Sequence, residues 1–218
     1  MKKMLLTFTT GLILISAMHV QAQESSWTAG MDIVSNYIWR GTKLGTGPAL
    51  QPSIKFNTGG LTVGVWGSFD ANGYAEADPY FSYAFSNGLS IGITDYFLPN
   101  SEGSKLFDEN SNAYEVNAGY ATGGLSLSAN YILNEAPVPA SAGDDLYFQA
   151  GYAFENFSLS VGAGDGWHTS DGDFNVCHVG IGTTREIKIS ESFSLPVFGQ
   201  VILNPEKEQL YVVVGLSL

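Results

Sequence analysis

Apolar and polar positions alternate along almost all of this chain. In 61–70, Leu61, Val63, Val65 and Phe69 share one parity, and Thr62, Gly64 and Ser68 hold the other together with Trp66. The closing run 210–218 places Leu210, Val212, Val214, Leu216 and Leu218 opposite Tyr211, Val213, Gly215 and Ser217. A period of two is the signature of a β-strand with one apolar face. Twelve such runs can be counted, at 27–40, 49–57, 61–70, 79–85, 89–97, 114–120, 125–133, 146–154, 157–163, 174–183, 195–203 and 210–218. A helical period is almost absent. In the first run Trp27, Ala29, Met31, Ile33, Tyr37 and Trp39 share a face, and Ser35 interrupts it.

The connections alternate in length. Tight turns are expected at 58–60, 87–88, 122–124 and 155–156, where Gly or Asn can take positive φ. Longer connections fall at 41–48, 71–76, 98–112, 134–144 and 164–173, and intermediate ones at 184–193 and 204–208. Short turns at one end and long loops at the other describe an up-and-down antiparallel barrel. A sandwich of two sheets gives no reason for that rhythm, and its outer face would need charges for solubility. Here the second face carries Gly, Ser, Asn and Thr. The predicted fold is therefore all-β: an up-and-down transmembrane β-barrel of twelve strands, or ten if one weak run is misread. The closing strand should pair with both the first strand and the one before it, leaving its aliphatic side chains to lipid. Aromatics at strand ends, among them Trp27, Tyr37, Trp39, Phe85, Phe97 and Phe154, are candidates for interfacial girdles.

Residues 1–22 have the form of a signal peptide: Lys2 and Lys3, an apolar core, then Val20-Gln21-Ala22. Residues 23–218 would form the barrel. Removing the two lysines leaves seven bases against 21 acids, a net charge of −14. That argues against nucleic acid as a partner. The single cysteine, Cys177, excludes an internal disulfide. Its parity is that of the lipid-facing side.

The segment "SNYIWRG" (35–41), followed by "GPALQ" (47–51), resembles the opening of the TorF family of porin-like proteins, also described as a bacterial family of unknown function (Gcw_chp). The matching residues are Ser35, Asn36, Tyr37, Arg40, Gly41, Pro48, Ala49 and Gln51. "VGVWGS" (63–68) is similar to the family's third strand. The resemblance implies an outer-membrane barrel and says little about a solute.

On the polar parity, Asp32, Asn36, Arg40, Lys55, Trp66, Tyr96 and Glu115 are candidate lumen or mouth residues. Arg40 is read as a structural anchor for loop carbonyls and carboxylates ahead of a filter. Folding the first strand onto the second about 41–47 would bring Asp32 beside Lys55 as a lumenal ion pair. Trp66, Tyr80, Tyr96 and Tyr147 could obstruct a pore that interior glycines and serines would leave open. His168, Ser170 and Asn175 have the residue types of an outer-membrane phospholipase, but they lie in a glycine-rich loop with the wrong spacing. Asp165, Asp171 and Asp173 are read as a solvated acidic loop ahead of a calcium site. No catalytic residue, metal ligand or cofactor is assigned. Acids from Glu76 and Asp78 to Glu208 fall in or beside the longer connections, where they would draw cations to the mouth. The expected function is a passive channel for small hydrophilic solutes or cations, in contact with outer-membrane lipid and handled by the barrel-assembly machinery during insertion. The alternative is a non-conducting structural or adhesion barrel working through its long loops.

Overall fold

A computed structural model describes residues 25–218. The expected signal peptide lies outside the described residues. The strands are β1 (Ser26–Val34), β2 (Tyr37–Trp39), β3 (Thr42–Leu44), β4 (Ala49–Thr58), β5 (Leu61–Asp70), β6 (Ala75–Ala84) and β7 (Leu89–Phe97). They continue with β8 (Asn112–Thr122), β9 (Leu125–Ile132), β10 (Leu146–Ala153), β11 (Ser158–Gly164), β12 (Asn175–Lys188), β13 (Ser194–Asn204) and β14 (Gln209–Ser217). Twelve of these close into one antiparallel barrel, and β2 and β3 form a separate hairpin.

The closing strand is paired on both sides. β13 runs beside β14 from Val197↔Leu216 to Asn204↔Gln209. On its other edge Asp32 faces Ser217 and Val34 faces Gly215. Met31 and Leu218 exchange backbone hydrogen bonds at 3.1 and 2.9 Å. Closure leaves no open edge.

The outer face is apolar and uncovered. Ile54, Ile91, Val212 and Val214 are all exposed, Val212 to 61%. So large a continuous aliphatic belt is incompatible with water and suits hydrocarbon. Aromatic pairs stand at the turn end, with Trp27 and Phe56 at 5.2 Å and Phe154 stacked on Phe157 at 4.6 Å. Phe148 and Phe174 meet at 6.2 Å at the loop end.

The interior is more filled than its glycine content implies. A Cβ on Gly64 would lie 2.7 Å from the Tyr80 hydroxyl, and one on Gly162 would lie 2.1 Å from the Tyr147 hydroxyl. These glycines make room for neighbouring tyrosines and do not simply widen a pore.

Several local expectations change. β1 stops at Val34, because the chain turns inward at Ser35, whose Oγ accepts from the Val214 N–H at 3.0 Å. Tyr37 and Trp39 are consequently buried inside the barrel and belong to no lipid-facing girdle. The inward fold also resets the register: Asp32 faces Gln51, and Lys55 faces Thr28. Four residues of strand separate Gln51 from Lys55, about 13 Å, so Asp32 and Lys55 are not neighbours. The pairing of β11 with β12 shifts between Gly162 and Ala163. That bulge turns Cys177 off the lipid face and buries it fully. Finally, β6 starts at Ala75, so Glu76 and Asp78 are buried strand residues and do not belong to a loop. β12 likewise runs on to Lys188, which reduces the expected 184–193 connection to 189–193.

Candidate functional site: a hairpin seated in the barrel mouth

The hairpin β2–β3 turns on two residues. Arg40 has φ 49° and Gly41 has φ 84°. Positive φ at both central positions is the type I′ turn that two-residue hairpins favour. Gly41 is fixed by space as well as by conformation, since a Cβ there would lie 1.8 Å from the Cys177 carbonyl oxygen. The Asn204 amide donates to the Gly41 carbonyl at 3.1 Å, and the Lys207 ammonium donates to the Thr42 hydroxyl at 3.1 Å. These contacts seat the hairpin against β12 and β13.

Its tip crosses the lumen. Arg40 Nη1 donates to Glu115 Oε2 at 2.6 Å, and Nη2 donates to Oε1 at 2.7 Å. Glu115 sits on β8, on the far wall. Tyr96 donates to Glu115 Oε1 at 3.0 Å, and the Asn117 amide donates to the same oxygen at 2.5 Å. Asn117 also donates to Asn130 at 3.1 Å. The guanidinium lies 4.7 Å from the Trp39 ring centre and 4.5 Å from that of Tyr147. Burial by itself would lower the Arg40 pKa, but Glu115 more than offsets this and keeps the guanidinium charged.

Aromatic rings complete the plug. Trp39 packs edge-on to Tyr96 at 5.4 Å and to Trp167 at 5.5 Å. The short helical turn Gly166–His168 brings Trp167 and His168 in from the loop after β11. His168 Nε2 lies 3.4 Å from Arg40 Nη1. Burial first, then the charges of Arg40 and Lys207, hold the imidazole well below its ordinary pKa. The neutral ring accepts from Arg40. Below the hairpin, toward the turn end, a cavity of about 410 Å³ is lined by Gln51, Ser53, Lys55, Trp66, Asp78, Thr94 and Asn117 among others.

The structure thus brings Arg40, Tyr96 and Glu115 into one cluster. Asp32, Asn36, Lys55 and Trp66 line the cavity beneath it. Arg40, read from the sequence as an anchor for loop carbonyls and carboxylates, is bound to the carboxylate of Glu115 on the strand wall. Trp39, Tyr147 and His168 were missed as partners of that arginine. The Arg-Gly dipeptide at 40–41 was the available signal for the hairpin. Ser170 is exposed, and its N–H donates to Glu206 at 2.9 Å, away from buried His168. Elsewhere inside the barrel Ser160 Oγ lies 2.8 Å from His178 Nε2. Among the described residues the His178 Nδ1 atom has no hydrogen-bond partner. In the acidic loop, the Asp165 carboxylate accepts from the Leu146 N–H at 2.6 Å, and Asp171 accepts from the Asp173 N–H at 3.0 Å.

A closed twelve-stranded antiparallel barrel with an apolar outer face and an inward hairpin in its mouth defines a β-barrel of the membrane-spanning kind. Residues 21–193 match the model of the family described as "Bacterial protein of unknown function (Gcw_chp)", and the chain belongs to that family. None of the curated proteins compared with the chain matches it. Among solved structures, a triple mutant of the Rhodopseudomonas blastica porin aligns at 15% identity with a TM-score of 0.45, over 78% of this chain and 55% of that one. A structure titled "Asymmetric conductivity of engineered proteins" aligns at 16% identity with a TM-score of 0.44, over the same shares. The chain therefore spans about half the length of these structures.

Proposed function

We propose that the protein is an outer-membrane channel for small hydrophilic solutes or cations, held shut at the loop end by the hairpin of β2 and β3. One observation carries this reading: a cavity of about 410 Å³ runs up the barrel from Asn57, Thr62 and Ser82 near the turns and stops at Tyr37 and Ile38 of the hairpin. The hairpin is attached to the wall by side-chain contacts and is not one of the barrel strands. It can therefore move without breaking the ladder. The apolar belt contacts outer-membrane lipid, and the strand ends fix its height through their aromatic residues. Passive diffusion follows the displacement of the plug and requires no cofactor.

A second reading rests on the same plug. Tyr37, Ile38, Trp39, Tyr96, Phe198 and Ile202 form one buried cluster, and so well packed a mouth suits a barrel that does not conduct and works through its loops. Planar-bilayer recordings separate the two. The wild type should show rare, small openings, and a variant with 37–44 replaced by a short Gly-Asn linker should conduct steadily. Silence from both over a range of voltages and salts overturns the channel reading and favours the loop-borne one.

A further inference from the structure

The roof of the cavity carries carboxyl groups that the hairpin latch does not use. Glu76 and Asp78 occupy successive interior positions of β6, at 4% and 1% exposure. The register sets Ser68 opposite Glu76 and Trp66 directly opposite Asp78. Side chains so paired stand about 5 Å apart at their Cβ atoms. The Tyr37 ring, lowered by the hairpin, lies 5.4 Å from Trp66 and 6.1 Å from Tyr74. Tyr74 donates to Glu76 Oε2 at 2.8 Å. Asp78 Oδ1 accepts from the Phe97 N–H at 3.4 Å, a long contact, and among the described residues Asp78 Oδ2 has no well-formed hydrogen bond.

Among the described residues neither carboxyl has a basic partner, since Arg40 is occupied by Glu115. Buried carboxyl groups without a counter-charge are costly. Trp66, Tyr37 and Asp78 all line the cavity. A carboxylate beside an indole ring and a phenol is the chemistry that holds an alkylammonium group, through ion pairing and cation–π attraction. Among the described residues no third acidic, imidazole or thiol ligand joins them in a metal-binding group. A divalent ion, which needs about six oxygens, is therefore poorly served. The cavity volume lies in the range that takes small molecules.

We infer that the cavity roof formed by Asp78, Trp66 and Tyr37 is a binding site for the ammonium group of a small organic cation. Asp78 supplies the charge, with Glu76 behind it. Trp66 and Tyr37 cover the apolar substituents. The inference rests on the channel reading only in taking the cavity as open to solutes from the turn end. It requires no conduction, so binding to the protein in detergent and current across a bilayer fail separately.

The test is calorimetric titration of the detergent-folded full chain with choline chloride, with its neutral isostere 3,3-dimethylbutan-1-ol, and with potassium and calcium chloride at matched ionic strength. Choline should bind and the neutral alcohol should not. Asp78→Asn keeps an acceptor for the Phe97 N–H and should weaken choline at least ~10-fold. Trp66→Leu should weaken choline while leaving any potassium response unchanged, which distinguishes lost cation–π contact from lost charge. Heat-shifted gel migration confirms that each variant is folded. Equal binding of choline and the alcohol, unchanged binding in both variants, potassium or calcium matching choline, or no binding by the wild type would each overturn the inference.

Discussion

Arg40 and Glu115 lie 75 residues apart in sequence and clasp each other through two parallel hydrogen bonds of 2.6 and 2.7 Å across the barrel lumen. Both side chains are almost completely withdrawn from solvent. Such a fork-to-fork pair fixes direction as well as distance. The hairpin tip can therefore seat in one way only.

Removing both partners should cost less than the two single removals added together. Arg40→Ala leaves Glu115 buried with only Tyr96 and Asn117 as donors, and Glu115→Gln leaves a buried guanidinium without a counter-charge. Each single change should destabilise the seated hairpin by about 3–5 kcal/mol, and the double mutant by clearly less than the sum. Urea unfolding followed by tryptophan fluorescence gives the cycle, because Trp39 and Trp167 report on the mouth. Additive losses would show that the two residues stabilise the barrel independently.

Gly41 controls the same latch through the backbone. At φ 84°, with the Cys177 carbonyl where a Cβ would stand, Gly41→Ala cannot keep the turn. The barrel ladder does not pass through Gly41, so the strands should still form and migration on gels should still shift on heating. Cys177 then becomes the reporter. It is fully buried beneath the hairpin and should resist maleimide in the wild type. In Gly41→Ala it should label at least ~10-fold faster, as a thiol does once it is exposed. Mass spectrometry of timed samples measures both rates.

The strands were legible because interior and exterior alternate at every residue, and the period survives whatever solvent each face meets. The plug was not, for the same reason. Tyr37 and Trp39 continue the parity of Met31 and Ile33, and an aromatic side chain reads alike whether it faces lipid or lumen. Only Ser35, the break in that run, and the Arg-Gly pair marked the inward turn. Cys177 was misplaced because a one-residue bulge inverts parity without any change in composition. Glu76 and Asp78 already had interior parity, yet their place in or beside a connection was read ahead of it. The partnership of Arg40 with Glu115 links residues far apart in the chain, and no local pattern encodes that distance.

His168 makes the mouth sensitive to acid. Its ring is kept neutral by burial, then by the Arg40 and Lys207 charges, so its folded pKa lies well below the ordinary value, which is about 6.5. Between those two values the displaced ring binds a proton that the seated ring refuses. The stability of the closed mouth is therefore complete above about pH 6.5 and falls as the pH drops below it. Asp145, whose carboxylate accepts from the Trp167 N–H at 3.2 Å, acts in the opposite sense. Burial raises its pKa, so its contribution is complete below about pH 3.9 and fades as the pH rises through its folded value. Opening frequency in bilayers should rise between pH 7 and pH 5 in the wild type. In His168→Gln that rise should be largely lost, because glutamine can still accept from Arg40 and cannot titrate. An unchanged pH profile in the variant would assign the acid response to another group.

Once the plug is displaced, the pore should prefer cations. Glu102, Asp108, Glu109, Glu135, Asp171, Asp173, Glu206 and Glu208 stand in the connections at the loop end, and Glu76 and Asp78 line the wall beneath them. With Arg40 withdrawn from the lumen along with its hairpin, Glu115 joins them, and Lys55 is the base left facing the cavity. Loop acids act through a field screened over ~10 Å at about 0.1 M salt, whereas wall acids in a narrow lumen are screened far less. The two contributions therefore separate by ionic strength. In the variant with 37–44 replaced, reversal potentials across a salt gradient should indicate cation selectivity in dilute salt. A residual preference should persist in concentrated salt, and Glu76→Gln with Asp78→Asn should remove that residue. Selectivity that vanishes in concentrated salt without those substitutions would assign it to the loops alone. An anion-selective reversal potential in dilute salt would show that Lys55 controls permeation.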